Sequence, residues 1–215
     1  MGIIESSDFI KENHAETLQY LIDNKMLPMF FYGSSVYGDS DPFLSHVILE
    51  RPELSDFKKD VQDRVNSPYF LYFRDIFYSF LYSIGYPKEL KLLRASVNLT
   101  YSKPGGDSYG QWHVDHKFEH GQIIIGLNDD YVGGGTEVEM DDGSIKFLPT
   151  EKFKGYMFHA KNHRVAHPER GGRLVLVFTF EDYDDNLVGA QDEMNADLVD
   201  GISRLGLGQC EAKEQ

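Results

Sequence analysis

The chain has 215 residues, 41% of them hydrophobic and 13% aromatic, which suits one domain with a sizeable core. Its 21 basic and 35 acidic residues leave a formal charge of −14, which argues against a nucleic-acid footprint or an anionic membrane surface and favours a cationic or neutral substrate. A single cysteine, Cys210, excludes an internal disulfide and a multi-cysteine zinc site; with no signal-peptide pattern and no apolar run of the ~18 residues a membrane span requires, a soluble protein of a reducing, cytoplasmic compartment is expected.

In chain order, Ile10, His14, Leu18, Leu21, Ile22 and Met26 recur at three- and four-residue steps and predict an amphipathic helix over 8–25, closed by Pro28. The stretch FFYGSSVYGDSDPFLS, 30–45, mixes glycine, serine and aspartate with aromatics and reads as a loop, and 30–43 has the composition of a mobile lid. Pro52 opens a second helix with Leu54, Phe57, Val61 and Val65 on one face. A third has Ser67 as cap, Pro68 in its first turn, and Gly85 and Pro87 as its stop. Between them YFLYFRDIFYSFLYSI is apolar or aromatic on nearly every side, which predicts a buried helix whose aromatics pack in the core.

From about residue 91 the texture changes to short strands: 92–102, 110–118, 121–128, 135–140, 144–148, 155–159, 163–168 and 173–181. Their spacing is that of a sandwich or barrel. In the last, Arg173, Val175, Val177 and Thr179 share one face, and Leu174, Leu176, Phe178 and Phe180 the other. Both faces are mostly apolar, which makes this strand central, one wall inside the barrel and the other against helices. The expected organisation is a single α+β domain with a mainly β core: a helical buttress over 1–90, the β core over 91–182, and an acidic tail or helix over 183–215.

Six of the eight histidines fall between 113 and 167. In GQWHVDHKFEH, 110–120, His113 and Asp115 lie two residues apart. On a strand such a pair points the same way and supplies two adjacent corners of a metal's coordination shell. The tripeptide alone fits a polar strand end equally. His116 and His120 read as surface groups, Trp112 as core or substrate wall, and Gly133, Gly134 and Gly135 as a tight turn.

The segment HAKNHRVAHPERGGRLVLVF, 159–178, makes the pattern more specific. Over roughly 92–182 the chain resembles the iron(II)/2-oxoglutarate-dependent dioxygenases, nearest their prolyl and lysyl hydroxylase branch. In that family His-x-Asp is followed by a histidine and, ten residues beyond, by an arginine opening the last core strand. His163 stands ten residues before Arg173 and fifty after His113, whereas His159 and His167 miss the arginine spacing. Tyr101 in VNLTYSKPGG and the run IIIGLNDDYVGGGTEV, 123–138, match further landmarks.

The resemblance implies a double-stranded β-helix (jelly roll) buttressed by N-terminal helices. It implies iron(II) held by His113, Asp115 and His163, with 2-oxoglutarate as cosubstrate and O2 as oxidant. It also implies Arg173 on the cosubstrate's far carboxylate, with hydroxyls from Tyr101 and Thr179 as further donors. The expected reaction is hydroxylation of an unactivated C–H bond in a prolyl or lysyl residue or an amino-acid-like substrate, so the partner is a peptide or small molecule. The alternative is a non-catalytic, cupin-like binding domain, which has no need of an interior arginine at that spacing.

Overall fold

The computed structural model describes residues 2–34, 41–54, 60–86, 90–103, 105 and 108–182. The tail, and the middle of the 30–43 segment expected as a lid, lie outside the described residues. Among these residues are two helices, α1 (Glu12–Asp23) and α2 (Phe70–Ser83). Ten strands accompany them: β1 (Ile4–Ser6), β2 (Phe30–Tyr32), β3 (Phe43–Leu49), β4 (Leu90–Tyr101), β5 (Gly121–Gly126), β6 (Val132–Glu139), β7 (Ile145–Pro149), β8 (Gly155–His159), β9 (His163–Arg170) and β10 (Gly172–Asp182). They form two antiparallel sheets, of order β1-β8-β5-β10-β4-β3-β2 and β7-β6-β9. This is the expected mainly β architecture, a double-stranded β-helix with helices against its larger sheet. No helix among the described residues is long and apolar enough to cross a membrane.

The alternation in β10 sets the two cores. Val175 and Val177 point between the sheets, with Ile124 of β5, Val138 of β6 and Leu148 of β7. Leu174, Leu176, Phe178 and Phe180 point the other way, into a core with Phe73, Phe77 and Phe80 of α2. The Phe77 ring lies 5.3 Å from Phe178 and 5.8 Å from Phe180, centroid to centroid. Gly155 of β8 makes room for this packing, since a Cβ there would stand 2.6 Å from the Phe80 ring. Phe77 is fully buried at the centre of this contact. Phe77→Ala is therefore expected to cost about 3–5 kcal/mol through lost burial and the cavity left behind, read as a fall in the urea midpoint at unchanged slope.

Four expectations need correction. The stretch 30–45 is not all loop: its two aromatic ends pair as β2 and β3, Phe30 opposite Ser45 and Tyr32 opposite Phe43. Turn-rich composition between them hid an edge hairpin. The helix expected from Pro52 appears as two 3-10 turns, Pro52–Leu54 and Val61–Arg64, and Val65 bridges to Leu49 instead of extending a helical face; Phe57 lies outside the described residues. Helix α2 starts later than expected, with Ser67 two residues before its N-cap Tyr69, whose amide donates to the Ser67 hydroxyl (3.2 Å). It is also amphipathic, because Leu71, Tyr78 and Tyr82 face solvent. Finally, 110–118 is no strand. Among the described residues its ladder pairing with β9 is limited to isolated bridges, one at His113 and one at Tyr109 just before it.

Candidate active site

Between the sheets lies a cavity of about 100 Å³. Its walls come from β4, β5, β6, β9 and β10 and from the irregular segment after Tyr109. That segment is fastened to β9 by backbone and side chains together. Gly110 donates to Val165 (2.9 Å), and His113 and His163 exchange two backbone hydrogen bonds, each 2.9 Å. The Arg164 guanidinium is sandwiched between Tyr109 (4.2 Å) and Trp112 (4.5 Å) and paired with Glu137. Trp112 is thus a half-buried clamp on a cation and not part of the core.

The bridge places His113 beside His163, with ring centroids 4.4 Å apart. Each ring donates its Nδ1–H to the carbonyl two residues earlier, Gln111 and Lys161, at 3.0 Å in both cases. A carbonyl only accepts, so Nδ1 carries the hydrogen in both rings, and the neutral form of each is the tautomer with its lone pair on Nε2. The Gln122 amide lies 3.3 Å from that lone pair on His163. Burial, with the neighbouring His113, pulls the His163 pKa down to about 4 despite the raising influence of Asp115, so the ring is neutral at physiological pH.

Asp115 completes this end. Its Oδ2 lies 3.9 Å from His163 Nε2. Its Oδ1 accepts from Arg51 (2.7 Å) and Arg94 (3.1 Å), and Arg51 also donates to the Asp115 carbonyl (2.9 Å). Burial alone would raise this carboxyl's pKa; the Arg94 guanidinium, then His163 and Arg51, outweigh burial and hold it well below the usual carboxylate range. Bonds of about 2.1 Å at right angles would bring neighbouring donors about 3 Å apart. The three groups face one another more loosely than that, and among the described residues no three such side chains are closed around a single point.

Arg173 lines the same cavity and is 3% exposed. Its Nε donates to Thr150 Oγ1 (2.6 Å) and one terminal nitrogen to Thr136 Oγ1 (2.9 Å). Among the described residues it meets hydroxyls and no carboxylate. Burial pulls its pKa down to about 10, which still leaves it cationic at neutral pH. Directly across the ladder from Arg173 stands Thr100 of β4. The Thr100 hydroxyl lines the cavity, is buried, and among the described residues has no hydrogen-bond partner.

Two residues expected here stand elsewhere. Tyr101 is 51% exposed and does not line the cavity. Strand alternation explains this: Thr100, Asn98 and Arg94 face inward, so Tyr101 shares the outer face with Leu99 and Val97. Thr179 is fully buried beyond the cavity, bonded to His116 Nε2 (2.7 Å). His116, expected at the surface, is buried between Thr179 and Glu53, whose carboxylate lies 2.5 Å from Nδ1, and burial lowers its pKa. His120 is buried too. His159 stacks on Tyr86 away from the cavity, and His167 is bonded to Asp41 (3.0 Å).

Arg51, Arg94, Gln122, Thr100, Thr136 and Thr150 escaped the sequence reading. Single polar residues in apolar strands carry no spacing signal. Thr100 alone was within reach, because the parity of VNLTY assigns it inward as soon as Val97 and Leu99 are assigned to the helix-packed face.

No family profile and no curated protein matches the chain. Solved structures do. One is an oxidoreductase of the 2OG-Fe(II) oxygenase family from Burkholderia pseudomallei, at 15% identity and TM-score 0.58, covering 84% of this chain and 85% of that one. A second is a prolyl hydroxylase from Trichoplax adhaerens, in complex with a peptide fragment of a hypoxia inducible factor oxygen degradation domain, at 11% identity and TM-score 0.58, covering 88% of each. A third is AviO1 from Streptomyces viridochromogenes, at 14% identity and TM-score 0.55, covering 84% of this chain and 90% of that one. The chain therefore has the fold of the 2OG-Fe(II) oxygenases.

Proposed function

We propose that this protein is an iron(II)- and 2-oxoglutarate-dependent oxygenase that hydroxylates an unactivated C–H bond of a peptide or small molecule. The observation that carries this is the composition of one small cavity. At one end two imidazoles face a carboxylate; on the same walls a buried guanidinium is held by two threonines and, among the described residues, by no carboxylate. A buried cation without an anion is costly, and a dicarboxylate cosubstrate supplies the missing charge.

In this reading His113 Nε2, His163 Nε2 and one oxygen of Asp115 hold the ion. Two histidines and one carboxylate are the ligand set of non-haem iron(II) oxygenases. When bound, iron(II) with 2-oxoglutarate supplies the oxidising power that inserts one atom of O2 into a C–H bond. The protein's part is positioning. The Lys161 and Gln111 carbonyls fix the tautomers. Arg51 and Arg94 occupy Oδ1 and so leave Oδ2 turned toward the histidines. Arg173 and the unpartnered Thr100 hydroxyl bind the cosubstrate's far carboxylate, a role that Tyr101 and Thr179 are too distant to share. Ile124, Val175 and Val177 keep the cavity dry, which strengthens each of these contacts.

Anaerobic titration with iron(II) and 2-oxoglutarate tests the reading. A weak metal-to-ligand charge-transfer band in the visible is expected, with succinate formed on admitting O2. Binding of neither component would leave the cupin-like alternative.

A further inference from the structure

A second, larger hollow adjoins the first. It has a volume of about 860 Å³ and shares Phe43, Arg51 and Arg94 with the small cavity. Its floor is aromatic. Phe30 and Tyr32 of β2 both line it, and the Tyr32 ring stacks on Phe43 at 5.3 Å and 21°. Phe30 and Leu54 are 61% and 72% exposed there. Volumes of about 300–1,000 Å³ are those of small-molecule sites, whereas the inner cavity is too small for a second ligand beside a cosubstrate.

Two guanidinia stand where the hollows meet. Arg94 donates one hydrogen bond, to Asp115, and among the described residues its other N–H groups meet no protein acceptor. Its side chain is 12% exposed and lines both hollows, so these N–H groups are open to whatever enters them. The charges facing it are Asp115, Arg51 and, farther off, Glu53, with the Tyr32 hydroxyl on the groove side. The chain's overall acidity does not describe this spot.

We infer that the aromatic groove is the prime-substrate site and that the substrate is a small organic acid, an apolar or aromatic body whose carboxylate is received by Arg94. The inference rests on the oxygenase reading only for the word substrate; the binding site stands or falls by itself. Arg94 is then a specificity-determining residue. Its planar fork suits a carboxylate, and the aromatic floor takes the apolar body.

The test uses the full chain without metal, so that its failure is distinct from failure of the iron titration. Calorimetry with a panel of aryl and alkyl carboxylic acids, 3-phenylpropanoate first, is compared with the corresponding primary amides. At least one acid is expected to bind, its amide at least about tenfold more weakly, given the strength of charge-assisted hydrogen bonds. Arg94→Gln is expected to abolish this discrimination, and Arg94→Lys to restore part of it. Phe30→Ala, at an exposed edge, is expected to weaken the acid severalfold and serves if Arg94→Gln does not fold. Failure of every acid, equal binding of acids and amides, or undiminished discrimination in Arg94→Gln would overturn the inference.

Discussion

Asp115→Ala is expected to abolish succinate formation and to unfold at a lower urea concentration, whereas His113→Ala abolishes turnover with little change in stability. Both remove a proposed ligand, so both should lose more than the about 10–100-fold that outer-shell changes cost. They differ in what is left behind. Without Asp115, Arg51 and Arg94 face each other with their common anion gone. Breaking a buried ion pair from one side costs about 3 kcal/mol or more; the lower end applies, since the Arg51 side chain is 30% exposed. Without His113 the hydrogen bond to Gln111, about 1 kcal/mol, goes together with the ring contact to His163, and no charge is stranded. Urea melts of the two variants beside succinate assays make the comparison. Equal stability losses would contradict the role given to the arginine pair, and retained turnover in either would contradict the ligand set.

Arg173→Met should raise the KM for 2-oxoglutarate about a hundredfold with much smaller loss of kcat at saturation. Methionine keeps most of the buried volume. What disappears is a charge-assisted grip, about 3 kcal/mol for contacts of this kind, and each 1.4 kcal/mol is about tenfold in affinity. The far carboxylate lies away from the reacting bond, so the loss falls on binding common to ground and transition states. Steady-state succinate formation against 2-oxoglutarate concentration reads the split. A kcat collapse at unchanged KM would place Arg173 elsewhere in the cycle. The conservative expectation for stability is a small change, because Thr136 and Thr150 lose a partner but no charge is stranded.

What could be read from the residues was whatever had a period. The two-residue alternation of RLVLVFTF assigned β10 both its faces, and with them the inward position of Arg173. The ten-residue interval from His163 to Arg173 picked one histidine of three, and that histidine is the one whose backbone pairs with His113. What could not be read was whatever depends on partners distant in sequence. Arg51 reaches Asp115 across 64 residues, and Glu53 reaches His116 across 63. A loop-like composition around β2 and β3 concealed an aromatic edge hairpin, because pairing to β4 overrode local preference. Tyr101 failed for a simpler reason: the resemblance named a residue whose own strand turned it outward.

The 3.1 Å hydrogen bond from Arg94 to Asp115 is among the contacts that join the two hollows. A guanidinium drawn toward an acid in the outer chamber holds the carboxylate of the inner chamber less firmly, and the reverse is equally true. By thermodynamic linkage the influence of each occupant on the other's affinity is the same factor in both directions. On the proposed reading, iron and the acid are then not independent variables: a dissociation constant for either would acquire meaning only alongside the occupancy of its neighbour.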